Sequence, residues 1–174
     1  VAPGSAWATK RWPAERFGAA ARDLVPARAD RVVVIGTAAD RALAAEIARA
    51  LEGRAPVLDA TGETGFADAV AMLERAHLVL ANDSAPAHVA AALGRPVVAL
   101  FGPTVPAQGF APLGPRVRIV ERELPCRPCS RHGSARCPIG THECLADLPA
   151  SAVVAAAGTL LEANAGAPAR REGS

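Results

Sequence analysis

The sequence lacks a strong excess of charge of either sign. Its 174 residues include 19 basic and 17 acidic side chains, for a formal net charge of +2. Proteins that bind nucleic acid usually carry a broad basic surface, because that surface attracts the phosphate backbone. We therefore expect no nucleic-acid partner.

The sequence also lacks long hydrophobic runs. The longest apolar stretches, such as Pro96–Phe101, are far shorter than the roughly 20 residues that a membrane-spanning helix needs. The first residues show no signal-peptide pattern, because Trp7 and Lys10 interrupt them almost at once. With 51% hydrophobic and 21% charged residues, the chain can bury a core. We expect one cytoplasmic domain.

Lysine and the amide side chains are scarce. Ala occurs 42 times, and 18 of the 19 basic residues are Arg, as in the products of a GC-rich genome. Such a coding bias tends to replace lysine by arginine where either residue works. The lone lysine, Lys10, therefore indicates a position that needs a point charge. The other rare residues are Asn82, Asn164 and Gln108.

Short apolar runs alternate with segments that carry apolar residues at helical spacing. Strands are predicted at Val32–Ile35, Pro56–Leu58, His77–Leu80, Pro96–Phe101 and Val117–Val120. Helices are predicted at Pro13–Leu24, Asp40–Leu51, Gly65–Arg75, Pro86–Leu93 and Pro149–Leu161. Apolar strands that alternate with helices indicate a parallel sheet covered on both faces. We predict an α/β fold with a doubly wound, Rossmann-like parallel sheet, and a disordered tail over 164–174.

Ligands bind such sheets at the carboxyl ends of the strands, where three predicted loops carry polar residues. These loops are Pro3–Pro13, Gly36–Asp40 and Ala81–His88. In the third loop, Ser84 can cap the following helix, whose free backbone N–H groups can bind an anion. From the residue types alone, a helix cap without a ligand explains this loop equally well.

Two segments resemble the signature of glycosyltransferase family 9, the ADP-heptose:lipopolysaccharide heptosyltransferases. The first is Asn82-Asp83-Ser84-x-Pro86-x-His88, followed by Ala-Leu-Gly-x-Pro-Val-Val-Ala-Leu-Phe-Gly-Pro-Thr. The second, about 70 residues earlier, is Pro3-Gly4-Ser5-Ala6-Trp7-Ala8-Thr9-Lys10-Arg11-Trp12-Pro13. The resemblance implies the carboxyl-terminal, donor-binding half of a two-domain GT-B enzyme. Residues 1–163 would form this nucleotide-sugar-binding domain. The acceptor domain would precede Val1, and the lack of an initial Met leads us to expect such a segment.

The resemblance also implies the residues of the donor site. Lys10 would bind the donor diphosphate and offset the charge that grows on the leaving group; a solvated surface charge is the alternative. His88 would donate to phosphate or sugar. The other expected ligands on the diphosphate and sugar side are Ser5, Asp83, Ser84 and Ala85, the last at a position where the family often has Gly.

Two more residues are expected on the nucleoside side. Asp40 follows the first strand and Gly36, where an acidic side chain can hold ribose hydroxyls. A carboxylate that stabilises a helix N-terminus explains Asp40 equally well. Thr64 lies in Gly62–Phe66, which resembles the family's loop near the nucleobase but departs from its usual Thr-Ser-Leu ending.

No Asp-x-Asp motif occurs, so the carboxylate pair that usually holds a metal on a nucleotide sugar is absent. The resemblance implies inverting transfer without a metal cofactor, from a nucleoside-diphosphate donor, ADP-heptose, to an acceptor of the lipopolysaccharide-core type. The enzyme would work in the cytoplasm or at the inner face of the inner membrane, with its general base in the missing domain. A GT-B relative with another sugar donor, and a nucleotide-binding module without catalysis, are the alternatives.

Four cysteines lie within one loop, residues 125–145, which we call the Cys-rich loop. They are Cys126, Cys129, Cys137 and Cys144, with His132 and His142 between them. A CxxC pair with two further cysteines is typical of a structural zinc or iron–sulfur site, although the second pair lacks the CxxC spacing. Free or buried thiols, and disulfides, remain alternatives. A catalytic thiol is not expected, because inverting glycosyl transfer needs no protein nucleophile.

Overall fold

Parallel strands form the centre of the structure, a computed structural model that describes residues 1–28 and 31–165. They are β1 (Val32–Val34), β2 (Val57–Asp59), β3 (Val79–Asn82), β4 (Val97–Phe101) and β5 (Val117–Glu121). β1 pairs with β2, and β3, β4 and β5 pair in that order. Val1 and Ala2 join the two groups, because Ile35 N donates to Val1 O (3.0 Å) and Ala2 N donates to Leu80 O (2.8 Å).

Helices cover both faces of this sheet. They are α1 (Ala14–Arg28), α2 (Arg41–Ala50), α3 (Phe66–Glu74), α4 (Ala85–Ala92), α5 (Glu143–Ala146) and α6 (Ala150–Ala165). Short 3-10 turns at Ala8–Lys10, Ala38–Asp40 and Pro106–Gln108 lie in the connections. α1 packs against α2 and α6 on one face, and α3 packs against α4 on the other. No helix among the described residues is long and apolar enough to cross a bilayer.

The alternation of side chains along the central strands divides the core into two layers. Val98 and Leu100 of β4 are buried in the layer that contains Trp12 and Phe17, whose rings meet edge to face with centroids 4.8 Å apart. The other three residues of β4 are buried in the opposite layer with residues of α3 and α4. They are Val97, Ala99 and Phe101. Buried strands with apolar side chains on both faces confirm the predicted doubly wound α/β fold.

The predicted elements agree with the structure except at a few boundaries. β3 lies two residues later than predicted, so Asn82 belongs to the strand. The four residues of α5 were not predicted. α1 continues to Arg28, past the predicted end at Leu24. α6 continues to Ala165, so Asn164 is helical and not part of a tail. The rest of the predicted tail, 166–174, lies outside the described residues.

Candidate functional site

The predicted binding loops meet at the carboxyl ends of the strands. Asn82, at the end of β3, is 0% exposed and joins two of them. Its Nδ2 donates to Pro3 O (2.7 Å), and its Oδ1 accepts a hydrogen bond from Trp12 N (3.0 Å). One amide thus holds both ends of the loop that carries Lys10.

The ammonium of Lys10 meets a buried carboxylate at this edge. Lys10 Nζ lies 2.6 Å from Asp83 Oδ2, and the two side chains are 13% and 3% exposed. The Thr104 hydroxyl, in the loop after β4, donates to the same oxygen (2.7 Å). Asp83 N donates to Leu100 O (2.9 Å), which continues the pairing of β3 with β4. The structure therefore brings Lys10 and Asp83 together, as expected for residues of one site.

Ser84, Ala85 and His88 lie at the start of α4. Ser84 occupies the N-cap position, but its hydroxyl donates to Asn82 O (3.1 Å) and makes no cap bond to the helix. The prediction that the Ser84 side chain caps the helix is therefore wrong. Ala85 and His88 are exposed. The start of α4, with its positive dipole end, still follows directly after Asp83.

Asp40 lies against the loop that carries Lys10, next to Gly4. Its Oδ2 accepts hydrogen bonds from Thr37 N (2.9 Å) and Thr37 Oγ1 (2.8 Å), in a capping box before α2. A Cβ at Gly4 would lie 2.6 Å from the same oxygen, and one at Gly36 would lie 2.9 Å from it. Asp40 is buried and has a structural role at a helix start, while its role toward ribose stays a prediction.

Within the described part of the chain, Thr64 and Ser5 make no hydrogen bond to Lys10 or Asp83. Thr64 is half-buried in the loop after β2, where Gly62 N donates to Gly36 O (3.0 Å). Ser5 is half-buried, and its carbonyl accepts two hydrogen bonds from the Arg11 guanidinium (2.9 and 2.7 Å). These contacts connect the loops into one surface. The roles of Thr64 and Ser5 in binding the donor stay predictions.

Asp59, the last residue of β2, has a shifted pKa. Asp59 Oδ1 accepts hydrogen bonds from Thr61 Oγ1 (2.6 Å) and Thr61 N (2.9 Å). These bonds favour the carboxylate and lower the pKa of Asp59.

The Cys-rich loop is anchored beside this site by Arg127. Its guanidinium donates to the Gly102, Arg122 and Thr104 carbonyls and pairs with Glu121, and its side chain is 4% exposed. A planar group with several donors suits such a cluster of carbonyl oxygens. The loop is therefore held firmly at the ends of β4 and β5.

The four cysteines of this loop are free thiols. Burial is the main cause that raises the pKa of Cys129 and of Cys144. Burial also acts to raise the pKa of Cys137, but the backbone N–H groups of residues 139–142 stabilise its thiolate and lower that pKa overall. Cys137 thus has the strongest thiolate character of these three.

The Cys-rich loop does not fit a metal centre, which was one of the alternatives left open by the sequence. Zinc and iron–sulfur sites need three or four thiolate or imidazole ligands around one point. Across residues 1–28 and 31–165, no three His, Cys, Asp or Glu side chains are grouped to hold a metal. Of the alternatives that the sequence left open, the described residues support free thiols and not a structural metal.

A family model identifies the chain. The model of glycosyltransferase family 9 (heptosyltransferase) matches residues 1–139. The chain belongs to glycosyltransferase family 9. The buried Lys10–Asp83 pair lies within the matched residues, and so do both segments that resemble the family signature.

Known relatives agree with this assignment. Lipooligosaccharide heptosyltransferase 2 of Haemophilus influenzae is 36% identical over 120 residues, which is 66% of this chain and 34% of the relative. The structure of E. coli ADP-heptose lipopolysaccharide heptosyltransferase II is 30% identical with a TM-score of 0.77, covering 94% of this chain and 46% of that one. The family 9 chain therefore spans about a third to a half of the length of these relatives.

A third structure shows a likeness of fold alone. The iron-containing dodecameric glycosyltransferase TibC of enterotoxigenic E. coli is 18% identical with a TM-score of 0.70, covering 94% of this chain and 44% of that one. Its iron is a property of that protein and is not transferred to this family 9 chain.

Sequence patterns did not identify two residues of the site. Thr104 lies in the Gly102-Pro103-Thr104 segment of the signature, but its bond to Asp83 depends on the pairing of β3 with β4. Asn82 is one of two asparagines and the first residue of the signature segment, but neither fact predicted its role. Its place at the end of an apolar strand could have predicted its role. An amide buried there needs hydrogen-bond partners, and the neighbouring loops are the nearest source of them.

Proposed function

We propose that this chain is the donor-binding half of an inverting glycosyltransferase that holds a nucleoside-diphosphate sugar such as ADP-heptose. The observation that carries the proposal is the Lys10–Asp83–Thr104 cluster at the carboxyl ends of the strands, in a chain of family 9. ADP-heptose is favoured because the E. coli relative with 30% identity is described as an ADP-heptose enzyme.

Lys10 is proposed to stabilise the leaving diphosphate. An ammonium has three N–H donors, of which Asp83 takes one, so the others can bind phosphate oxygens. When the bond between the anomeric carbon and the diphosphate oxygen breaks, that oxygen keeps the electron pair and gains negative charge. A fixed cation beside it stabilises the transition state more than the ground state. Positive charge from Lys10 and the α4 dipole supports transfer without a metal cofactor.

Asp83 is proposed to position Lys10 without repelling the donor. Its negative charge is neutralised by Lys10 and its oxygen is held by Thr104. The sugar and diphosphate would then contact the start of α4, through Ser84, Ala85 and His88. The nucleoside would extend toward Ser5, Asp40 and Thr64.

The acceptor is proposed to bind a second domain. In inverting transfer, an acceptor hydroxyl forms the new bond to the anomeric carbon while the diphosphate leaves from the opposite side. The hydroxyl proton passes to a general base, which we place in the second domain. The relatives act on lipopolysaccharide or lipooligosaccharide, which favours an acceptor of that type at the cytoplasmic face of the inner membrane.

The proposal is tested by substitution of Lys10 in the protein that contains both halves. Lys10→Ala is expected to lower kcat about 10²–10³-fold, the effect of one lost electrostatic contact in the transition state. Lys10→Arg is expected to be impaired as well, because a planar fork does not replace a point charge. Steady-state kinetics with ADP-heptose measures both.

Two controls separate catalysis from folding. Arg75→Ala removes an exposed cation at the end of α3 and should leave kcat unchanged. Lys10→Ala leaves Asp83 as an unpaired buried carboxylate, which destabilises a fold. The double variant Lys10→Ala/Asp83→Asn should recover melting temperature but not turnover. Unchanged kcat in Lys10→Ala would contradict the proposal.

A further inference from the structure

The 3-10 turn that carries Lys10 is bound to the Cys-rich loop through Thr9. Thr9 N donates to Ser134 O (3.2 Å), and the Thr9 hydroxyl donates to the same carbonyl (2.8 Å). Ser134 N donates back to the Thr9 hydroxyl (2.8 Å). Thr9 is 4% exposed and its bonds to Ser134 are partly buried, so the loss of one removes a partner from polar groups that water reaches only in part.

His142 and Gly133 contact the same turn. His142 Nε2 lies 2.8 Å from Thr9 O, and because a carbonyl only accepts, this nitrogen carries the proton. A Cβ at Gly133 would lie 2.9 Å from Lys10 Cδ and 2.7 Å from Trp7 Cβ, and the φ of Gly133 is +102°. The Cys-rich loop therefore holds both the backbone before Lys10 and the stem of its side chain.

These contacts place the ammonium of Lys10 before any ligand binds. A free lysine side chain samples many rotamers, and ordering it costs conformational entropy. Here the stem lies against Gly133, and the ammonium lies 2.6 Å from Asp83 Oδ2. The loop that supplies the contacts is anchored through Arg127 to Thr104 O (2.9 Å), close to the bond between Thr104 and Asp83.

We propose that Thr9 and His142 are positioning residues that fix the Ala8–Lys10 turn, so that Lys10 is placed for the diphosphate of the donor. The inference rests on the proposed function, because it assumes that Lys10 binds that diphosphate. It assigns the Cys-rich loop a role that needs neither a metal nor a reactive thiol. Pre-organisation of this kind raises affinity for the group that Lys10 contacts and leaves other contacts unchanged.

The test compares the binding of ADP and adenosine to this chain by isothermal titration calorimetry. Adenosine lacks the diphosphate, so the ratio of the two affinities reports the contacts of the diphosphate, among them the proposed contact with Lys10. Thr9→Val and His142→Ala are each expected to lower this ratio about 3- to 10-fold, the equivalent of one ordinary hydrogen bond. Thr9→Ser and His142→Gln keep a donor at the same place and should preserve the ratio. Ser151→Ala, an exposed hydroxyl on α6, is the matched control.

A double-mutant cycle separates this inference from the proposed function. In a Lys10→Ala background, Thr9→Val and His142→Ala should have no further effect on the ratio, because they act through Lys10. If Lys10→Ala lowers the ratio while Thr9→Val and His142→Ala do not, the positioning role is overturned and the role of Lys10 stands. If Lys10→Ala leaves the ratio unchanged, both fall. An equal loss of ADP and adenosine affinity would also overturn the positioning role.

Discussion

At the scale of single residues, Asn82 explains why the loop of Lys10 is ordered. It is completely buried, and it satisfies Trp12 N and Pro3 O, two backbone groups that lie on opposite ends of that loop. A buried amide with partners for both its donor and its acceptor contributes specificity as well as stability. The position of the lysine therefore depends on a residue whose side-chain hydrogen bonds go to the two ends of the loop and not to Lys10 itself.

Substitution of Asn82 is expected to destabilise the fold. Asn82→Ala leaves Trp12 N and Pro3 O without partners and should lower the free energy of unfolding by about 2–3 kcal/mol. Asn82→Asp keeps the acceptor but buries a charge, so its destabilisation should be larger at pH 7 than at pH 4. Urea unfolding at both pH values measures this. Thr159→Ala, on the exposed side of α6, should change stability by less than about 0.5 kcal/mol. An Asn82→Ala protein as stable as the wild type would contradict this account.

The scarcity of a residue type predicted only some of these roles. Lys10 stood out as the single lysine, and the structure places it in a buried ion pair. The single Gln108 joins two loops, because it accepts a hydrogen bond from Val105 N and donates to Ser130 O. Thr9 could not be found in this way. Its partner Ser134 lies 125 residues away, and threonine is too common for its rarity to be a signal.

At the scale of elements, the strands were predictable because their apolar runs are buried on both faces. β4 shows this best, since all five of its residues are buried. The boundary of β3 was less predictable, because the polar Asn82 looks like the start of a loop although it continues the ladder with Leu100. The short helix α5 carries no full turn of apolar spacing, and its Leu145 is buried against Gly102 by tertiary packing alone.

The thiols of the Cys-rich loop should differ in reactivity. Hydrogen bonds from the backbone lower the pKa of Cys137, and burial raises the pKa of Cys129 and Cys144. A lower pKa gives a larger thiolate fraction at a given pH, and the thiolate is the form that reacts. Iodoacetamide should therefore modify Cys137 first below pH 8, with a rate profile that rises at lower pH than those of Cys129 and Cys144.

Peptide mapping by mass spectrometry measures this order. In urea the pKa differences disappear, so the three rates should become similar. Thiols that resist iodoacetamide until a chelator is added would contradict the assignment of free thiols and would favour the structural metal centre, one of the alternatives left open by the sequence.

At the scale of the whole molecule, the predicted binding loops lie together at one edge of the sheet. Contacts join the Thr64 loop to Gly36, Asp40 to Gly4, and Asn82 to Pro3. The chain spans only about a third to a half of its relatives, so in our proposal a second domain supplies the opposite wall and the general base. A ligand held on one wall buries less surface than in a closed pocket. We expect weak, saturable binding of ADP by this chain and no glycosyl transfer.

The most direct test of the donor-site proposal is an NMR titration of the isotope-labelled chain with ADP. The chemical shifts of the backbone amides report the binding. The account predicts saturable shifts that cluster at 4–12, 36–40, 61–65 and 83–88, with UDP and GDP binding more weakly. Lys10→Ala should weaken binding of ADP more than binding of adenosine. No saturable shifts at millimolar ADP, or shifts confined to the opposite edge of the sheet, would contradict the account.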